Sequence, residues 1–425
     1  MKGKRRWLEW GKNLLIAALT LSAVYLLTMT PLVQDSGLLD LLKPQSSGVD
    51  GGGPVTLTAA AYPSRMAVSN GTGRYGLQYD QNGVDQLFAY LGPLLGEALA
   101  SSSQPQSITE AAWQDCLQGE GIFFDFSGSI PLSALGSWLH SEGQSGLDAS
   151  ARRILLAAGE DNAVLLCYQD AETEQFYACQ TTLTCTLHLH PAVEHAESNG
   201  ALFAFESEEL SGLLDPYTMI TEDMGGAVFA AANSLAGSED VAALLEALSF
   251  NGQNHASVSG GEAYLDGDSR LEVTNSGTVF YRAAQEGKYP VVSAGGRATV
   301  AEAIEAAREL AENTVGARCG EARLYLASVW ETDDGYLVRF GYRLNGSAVW
   351  LYDEGWAAEF MIRDEYIVEF TLHFRSYVDT GEEALMLAAD RAAVMLPALA
   401  DEPRELVVQY RDRGMAEVSP IWVAE

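Results

Sequence analysis

Lysine is almost missing from this sequence. Its 425 residues contain Lys2, Lys4, Lys12, Lys43 and then only Lys288. That scarcity excludes most chemistry built on an ammonium group, including Ser–Lys hydrolysis and P-loop phosphate binding. Cysteine is also sparse and odd in number, with five, too few for an exterior domain held together by disulfides. Cys167 and Cys179 can face each other across a hairpin of residues 164–168 and 176–181, although buried free thiols are the first expectation. No Gly-x-Ser-x-Gly elbow or His-Glu-x-x-His helix is spelled anywhere, so two frequent hydrolytic sites have no candidate. Positive charge is scarce as a whole: 25 Lys and Arg stand against 58 Asp and Glu, a formal net charge of -33. Such a surface repels phosphate backbones, and nucleic acid is not expected as a partner.

Residues 14–33 hold no charge at all. Twenty residues at about 1.5 Å each span about 30 Å in a helix, the thickness of a bilayer's hydrocarbon core. Ahead of the run stand Lys2, Lys4, Arg5, Arg6 and Lys12 against Glu9 alone, a balance of +4 that leaves -37 for the remaining chain. Positive flanks stay in the cytoplasm, so the N-terminus is expected inside and the bulk of the chain outside, with no second apolar run long enough to return. A cleaved signal is the rival reading, but Met29-Thr30-Pro31-Leu32-Val33 offers no small-x-small site. The first cysteine is Cys116, which rules out a lipoprotein spelling. Within the run, Leu14, Ala18, Thr20, Ser22 and Thr28 are the candidate partner-helix contacts. Ala18 and Ser22 form a small-xxx-small pair, and hydroxyls in hydrocarbon seek a partner.

The rest of the chain has 48% hydrophobic content overall to draw on and predicts large cores in more than one domain. The division read from composition and turn signals is a cytoplasmic tail 1–13, an anchor 14–33 and a Gly/Ser/Pro-rich linker 34–55. Three α+β domains follow, at 56–199, 200–293 and 294–425. Each orders helices and several antiparallel strands in a way that places helices on one face of a sheet. Asn70-Gly71-Thr72-Gly73 marks a hairpin, and it also spells a glycosylation sequon, as Asn345-Gly346-Ser347 does; a turn accounts for both. Apolar residues from Val84 to Ala98 recur at helical spacing with a break expected at Gly92-Pro93. Ser107-Ile108-Thr109-Glu110 opens a second helix as a capping box, Ser238 caps a third, and residues 299–313 and 382–396 read as two more.

His188-Leu189-His190 is the one metal candidate, on the expectation that 185–190 is a strand whose alternate residues share a face, with Glu194 or His195 as a third ligand. Two histidines at an exposed strand end account for the same spelling. Asp266-Gly267-Asp268 starts like a calcium loop but puts Arg270 where an oxygen belongs, so it reads as a turn. No cofactor and no catalytic set is expected.

Several stretches then carry a resemblance. They are Asn199-Gly200-Ala201-Leu202-Phe203-Ala204-Phe205-Glu206 with Pro216-Tyr217-Thr218; Leu248-Ser249-Phe250-Asn251; Glu262-Ala263-Tyr264; and Leu271-Glu272-Val273 with Gly277-Thr278-Val279-Phe280-Tyr281. Phe340-Gly341-Tyr342-Arg343-Leu344-Asn345-Gly346 and Pro420-Ile421-Trp422 complete the set. With the single anchor, they resemble the YycH/YycI-type regulators of the essential cell-wall two-component system of Gram-positive bacteria. The resemblance implies an extracytoplasmic, non-enzymatic protein that binds a sensor histidine kinase in the membrane and adjusts its activity; a second regulator of the same type as a further partner stays open. Two rival readings are a surface module that captures a cell-wall fragment or peptide through Trp330, Trp350, Trp356 and Tyr342, and a wall hydrolase built on His188 and His190.

Overall fold

Seven antiparallel strands open the fold: β1 (Arg65–Asn70), β2 (Tyr75–Gln78), β3 (Gln106–Ile108), β4 (Glu120–Pro131), β5 (Ser150–Ala158), β6 (Ala163–Asp170) and β7 (Phe176–Thr184). They lie in the order β2-β1-β4-β5-β6-β7-β3. The computed structural model describes residues 57–73, 75–139, 146–194, 196–221, 226–284, 287–292, 296–351, 355–395 and 403–425. The expected tail, anchor and linker lie outside these residues, and with them Lys2, Lys4, Arg5, Arg6, Lys12, Leu14, Ala18, Thr20, Ser22 and Thr28. Among the described residues no helix is long and apolar enough to cross a membrane.

Successive side chains of a strand face opposite sides, and here both sides are covered. In register across the sheet, Met66, Phe124, Ile154 and Tyr168 point to one face, and Ala67, Phe123, Leu155 and Cys167 to the other. The first row joins the large core with the Gln81–Ser101 and Leu132–Trp138 helices. The second row joins a separate cluster with Trp113 of the Glu110–Gln118 helix and with Phe203 and Tyr217. Helices therefore lie on both faces of this sheet, where the expectation was one. The Gln81–Ser101 helix also runs unbroken through Pro93. Pro93 and Ala89, whose carbonyl loses its donor, both sit on the exposed side, where water replaces the missing bond.

Short strands β8 (Leu202–Phe203) and β9 (Met219–Ile220) pair with each other, and β10 (Ala227–Asn233) starts a second region. The Ser238–Ala247 helix follows, capped by Gly237, whose N–H is accepted by Asp240, and not by Ser238 as expected. Then come β11 (His255–Val258), β12 (Gly261–Asp266), β13 (Ser269–Thr274), β14 (Thr278–Ala283) and β15 (Tyr289–Pro290). Beyond the Val300–Asn313 helix, expected over 299–313 and capped by Thr299 with Glu302, lie β16 (Arg323–Thr332), β17 (Gly335–Leu344), β18 (Ser347–Leu351), β19 (Ala358–Arg363) and β20 (Tyr366–His373). The chain ends with β21 (Arg375–Glu383), the Ala389–Met395 helix, β22 (Leu406–Asp412), β23 (Glu417–Val418) and β24 (Pro420–Ala424). Tyr377 is expected to begin a link to a helix over 382–396, but residues Arg375–Glu383 are β21. They form a strand because β10 pairs with them through Asn233↔Arg375 to Ala227↔Glu383.

A twelve-stranded sheet runs β11-β12-β13-β14-β20-β19-β17-β18-β22-β24, with β16 on β17 and β15 on β20. Its β14–β20 ladder joins residues on either side of position 293. Tyr264, Leu271, Tyr281, Phe370, Phe360 and Val338 form its inner row and belong to the same core as the first sheet's inner face. Two glycines let the sheets meet. A Cβ on Gly128 would come within 2.4 Å of the Leu326 carbonyl, and one on Gly346, at φ +81°, within 2.1 Å of the Tyr79 carbonyl; only glycine permits approaches that close.

Candidate functional site

The most concentrated group of charges lies where the two sheets meet. Arg65 of β1, Asp125 of β4 and Arg153 of β5 stand opposite one another in a single row across three strands, so opposite charges alternate at contact distance. Arg65 pairs with Asp125, and Arg152 Nε reaches the same carboxylate at 3.0 Å. From the far sheet Glu405 enters between the guanidiniums. It accepts from Arg65 at 2.5 Å, from Arg152 at 2.7 and 2.9 Å and from Arg153 at 3.0 Å. Its backbone is fixed by reciprocal bonds with Glu425 at 3.0 and 2.9 Å. Arg153 also pairs with Asp215 at 3.0 Å and lies over the Tyr217 ring.

Burial by itself would raise the Glu405 carboxyl, but Arg152, Arg65 and Arg153 together overcome it and hold the group well below the ordinary carboxylate range. Burial likewise opposes the charge on Arg65 and Arg152, and Asp125 and Glu405 outweigh it, so both guanidiniums are held charged. A cavity of about 80 Å³ opens beside them, lined by Arg65, Arg152, Tyr79, Gln409 and Glu425 among others, room for a few waters. At the cavity the Glu425 carboxyl is raised by burial and by the neighbouring Glu405, while the charges of the cluster itself are locked in pairs. Its geometry is that of a clamp: a buried carboxylate from one sheet gripped by three arginines of the other.

Nearby Arg343 is buried, and among the described residues it makes no ion pair with a carboxylate. It donates to the Tyr62 carbonyl at 2.9 Å, and burial together with the adjacent Arg323 lowers it to about 10, so it stays charged at neutral pH.

The outer face of the twelve-stranded sheet differs in kind. Trp330 is 59% exposed and Trp350 46%, with Phe280 and Leu265 also open. Trp350 meets the half-buried Trp356 edge-on at 6.2 Å, and Arg339 lies over Trp356 at 5.8 Å while pairing with Glu359 at 2.6 Å. Of the four aromatics singled out from sequence, Tyr342 is instead core: it is fully buried and donates to the His373 carbonyl at 2.8 Å.

His188 and His190 do not converge. Residues Cys185–Leu189 form a turn of π-helix that continues into a short helix His190–Val193, so strand parity does not apply. His188 Nδ1 turns back to the Thr184 backbone, at 3.0 Å from its nitrogen and 3.1 Å from its oxygen, and His190 pairs with Glu120. Among the described residues no three His, Cys, Asp or Glu side chains are grouped for a metal ion; His195 lies outside them. Cys167 and Cys179 are free thiols. The register sets Cys167 opposite Ala178 and Cys179 opposite Leu166, a one-residue offset that sends the two thiols to opposite faces. Asp266-Gly267-Asp268 is a hairpin turn, with Asp266 paired to Lys288. A glycine-rich spelling, Gly71-Thr72-Gly73 leading to Gly76, also sits in a hairpin between β1 and β2, not ahead of a helix where phosphate would bind.

Neither a protein-family model nor a curated protein matches the chain. Among solved structures, the crystal structure of YycH from Bacillus subtilis aligns over 87% of this chain and 95% of its own, at TM-score 0.55 and 13% identity. The chain has a YycH-like fold. An uncharacterised protein from Eubacterium rectale aligns over 48% of this chain and 77% of its own at TM-score 0.30 and 13% identity, a likeness too low to argue from. The YycH-like fold accounts for the mixed α+β architecture and its antiparallel sheets. Arg65, Asp125, Arg152, Arg153 and Glu405 are not among the site residues expected from sequence. The available signal was Asp125 within Ile122-Phe123-Phe124-Asp125-Phe126, a charge in a strand otherwise apolar and therefore in need of a buried partner.

Proposed function

We propose that the chain is a membrane-anchored extracytoplasmic regulator that binds a sensor histidine kinase and modulates two-component signalling for cell-wall homeostasis, with no catalytic step of its own. The observation that carries this reading is the likeness to YycH along 87% of the chain. The charge-free run 14–33 with its basic flank supports a single pass with the N-terminus inside. A regulator of this kind shifts a kinase between two packings of its transmembrane helices only by binding one of them better. Residues 14–29 carry the membrane contact, with Ala18 and Ser22 at its centre. Co-purification of the full chain with the solubilised kinase is expected, and leucine at both positions should weaken it and change kinase output. Unchanged binding and output would remove the helix-contact mechanism, and mature protein beginning beyond Val33 in the culture medium would remove the anchor.

The second reading, capture of a cell-wall fragment or peptide, is favoured by the exposed Trp330 and the Trp350–Trp356 pair. Muropeptide pulldown compared with kinase pulldown separates the two.

A further inference from the structure

Among the described residues, the twelve-stranded sheet ends on β11 with no further strand paired to it. In the β11–β12 ladder, the Leu265 N–H donates to the Asn254 carbonyl at 2.9 Å, which fixes Ala256 and Val258 as the residues bonded to β12. Antiparallel pairs alternate, so the N–H and C=O groups of His255 and Ser257 point outward. Residues His255, Ala256 and Ser257 are all exposed. Strand edges are ordinarily blunted by charge, proline, a bulge or a cover. Three other edges in this fold carry such a device: β21 has Asp379, Glu382 and Glu383, β24 begins at Pro420, and Asn199 brackets the Leu77 backbone on β2, whereas β3 is limited only by its three-residue length. The sequence His255-Ala256-Ser257-Val258 has no such device, and its register runs without a bulge.

Beside this edge lies a groove of about 560 Å³ between the Ser238–Ala247 helix and the inner face of β11–β13. Val241, Leu245, Tyr264 and Val273 give it an apolar floor, with His255 and Glu262 at its rim, and no lysine or arginine lines it. Glu239 and Glu246 stand exposed on the same helix, one turn to either side of the lining residue Ala242.

We propose that this edge and groove form a binding site for an extended, basic segment of a partner protein, which adds to β11 as a further strand. Its backbone pairs with His255 and Ser257, alternate apolar side chains enter the groove, and its cations face Glu262, Glu239 and Glu246. Strand addition beside a helix supplies affinity through main-chain bonds and selectivity through the alternate side chains. A second copy of this chain is the wrong occupant, since edge-to-edge pairing sets the same acidic rims against each other. The site does not depend on the kinase reading.

The test uses the full chain in detergent with a fluorescent seven-residue peptide alternating lysine and valine, read by anisotropy. Its controls are the glutamate-for-lysine peptide and the lysine–valine peptide methylated on every backbone nitrogen. Expected are binding of the first at least about tenfold tighter than of either control, weakening by salt, and slowed hydrogen exchange at the His255 and Ser257 amides. Ser257→Pro removes an N–H that no ladder bond uses, as an edge position tolerates, and should abolish the gain while leaving the melting temperature in place. Equal binding of the methylated peptide, or no protection of the two amides, overturns the site. So does self-association of the chain that Ser257→Pro abolishes, which would make the occupant a second copy.

Discussion

The seven-stranded sheet is covered on both faces; the twelve-stranded sheet is covered on both only where Phe340–Leu344 of β17 run fully buried, and on one at its β11–β14 end. In the first, β4 buries six consecutive residues from Gly121 to Phe126, and β5 five from Arg153 to Ala157. In the second, β13 and β14 alternate, with Leu271, Val273, Val279 and Tyr281 inside and Arg270, Phe280 and Arg282 outside. A charge in the first sheet must therefore be neutralised within the protein, and Arg65, Asp125 and Arg153 are. On the open face Arg282 and Glu369 pair at 3.3 Å with side chains 75% and 39% exposed, where water screens the attraction. The same residue types hold two sheets together in one place and keep a surface soluble in the other.

The largest effect that sharpens this contrast comes from Glu405→Ala. It leaves the buried Arg65 and Arg153 and the partly exposed Arg152 without their shared carboxylate and should cost about 3–5 kcal/mol in urea unfolding; a loss below about 1 kcal/mol would show the clamp to be a surface-type contact. Because the folded Glu405 carboxyl is depressed, its contribution is complete above the unfolded value of about 4.3 and is lost as pH falls below it toward the folded value. Acid titration of the melting temperature should accordingly show a shallower acid limb in Glu405→Gln. Trp113→Ala, in the outer cluster of the first sheet, should cost about 3–5 kcal/mol, since Trp113 is fully buried and stacks on Phe176 at 5.3 Å. Gly128→Ala forces a methyl into the Leu326 and Ala327 carbonyls and should lower stability by about 1–3 kcal/mol, which calorimetry can follow. The smallest change belongs to Trp330→Ala on the open face, within about 0.5 kcal/mol of the parent; a large loss there would mean that this face is covered.

Local structure was legible where short-range chemistry decides it. Residues 299–313 announce the Val300–Asn313 helix, Gly119 closes the Glu110–Gln118 helix, and Asn70-Gly71 turns β1 into β2. The strand read from Thr278 to Tyr281 lies within β14. The failures came where a distant partner overrides the local pattern. Residues 375–383 are a strand because β10 lies alongside, and Pro93 is tolerated because its side of the helix faces solvent. His188 and His190 part company because the chain coils just after Thr184.

The site shows the same division more sharply. Asp125 and the Arg152-Arg153 pair are visible in the chain, yet Glu405 lies 252 residues beyond Arg153, and no periodicity links them. What the amino-acid order settles alone is composition-driven: an acidic, lysine-poor surface, helix caps, turns and the in-out rhythm of half-buried strands, all governed by neighbours within a few residues. Tertiary packing decided which sheet is sealed on both faces, which thiols look away from each other, which carboxylate is gripped by three arginines and which strand edge is left bare. Each of those depends on register and long-range contact, whose free energies appear only once strands from distant parts of the chain lie side by side.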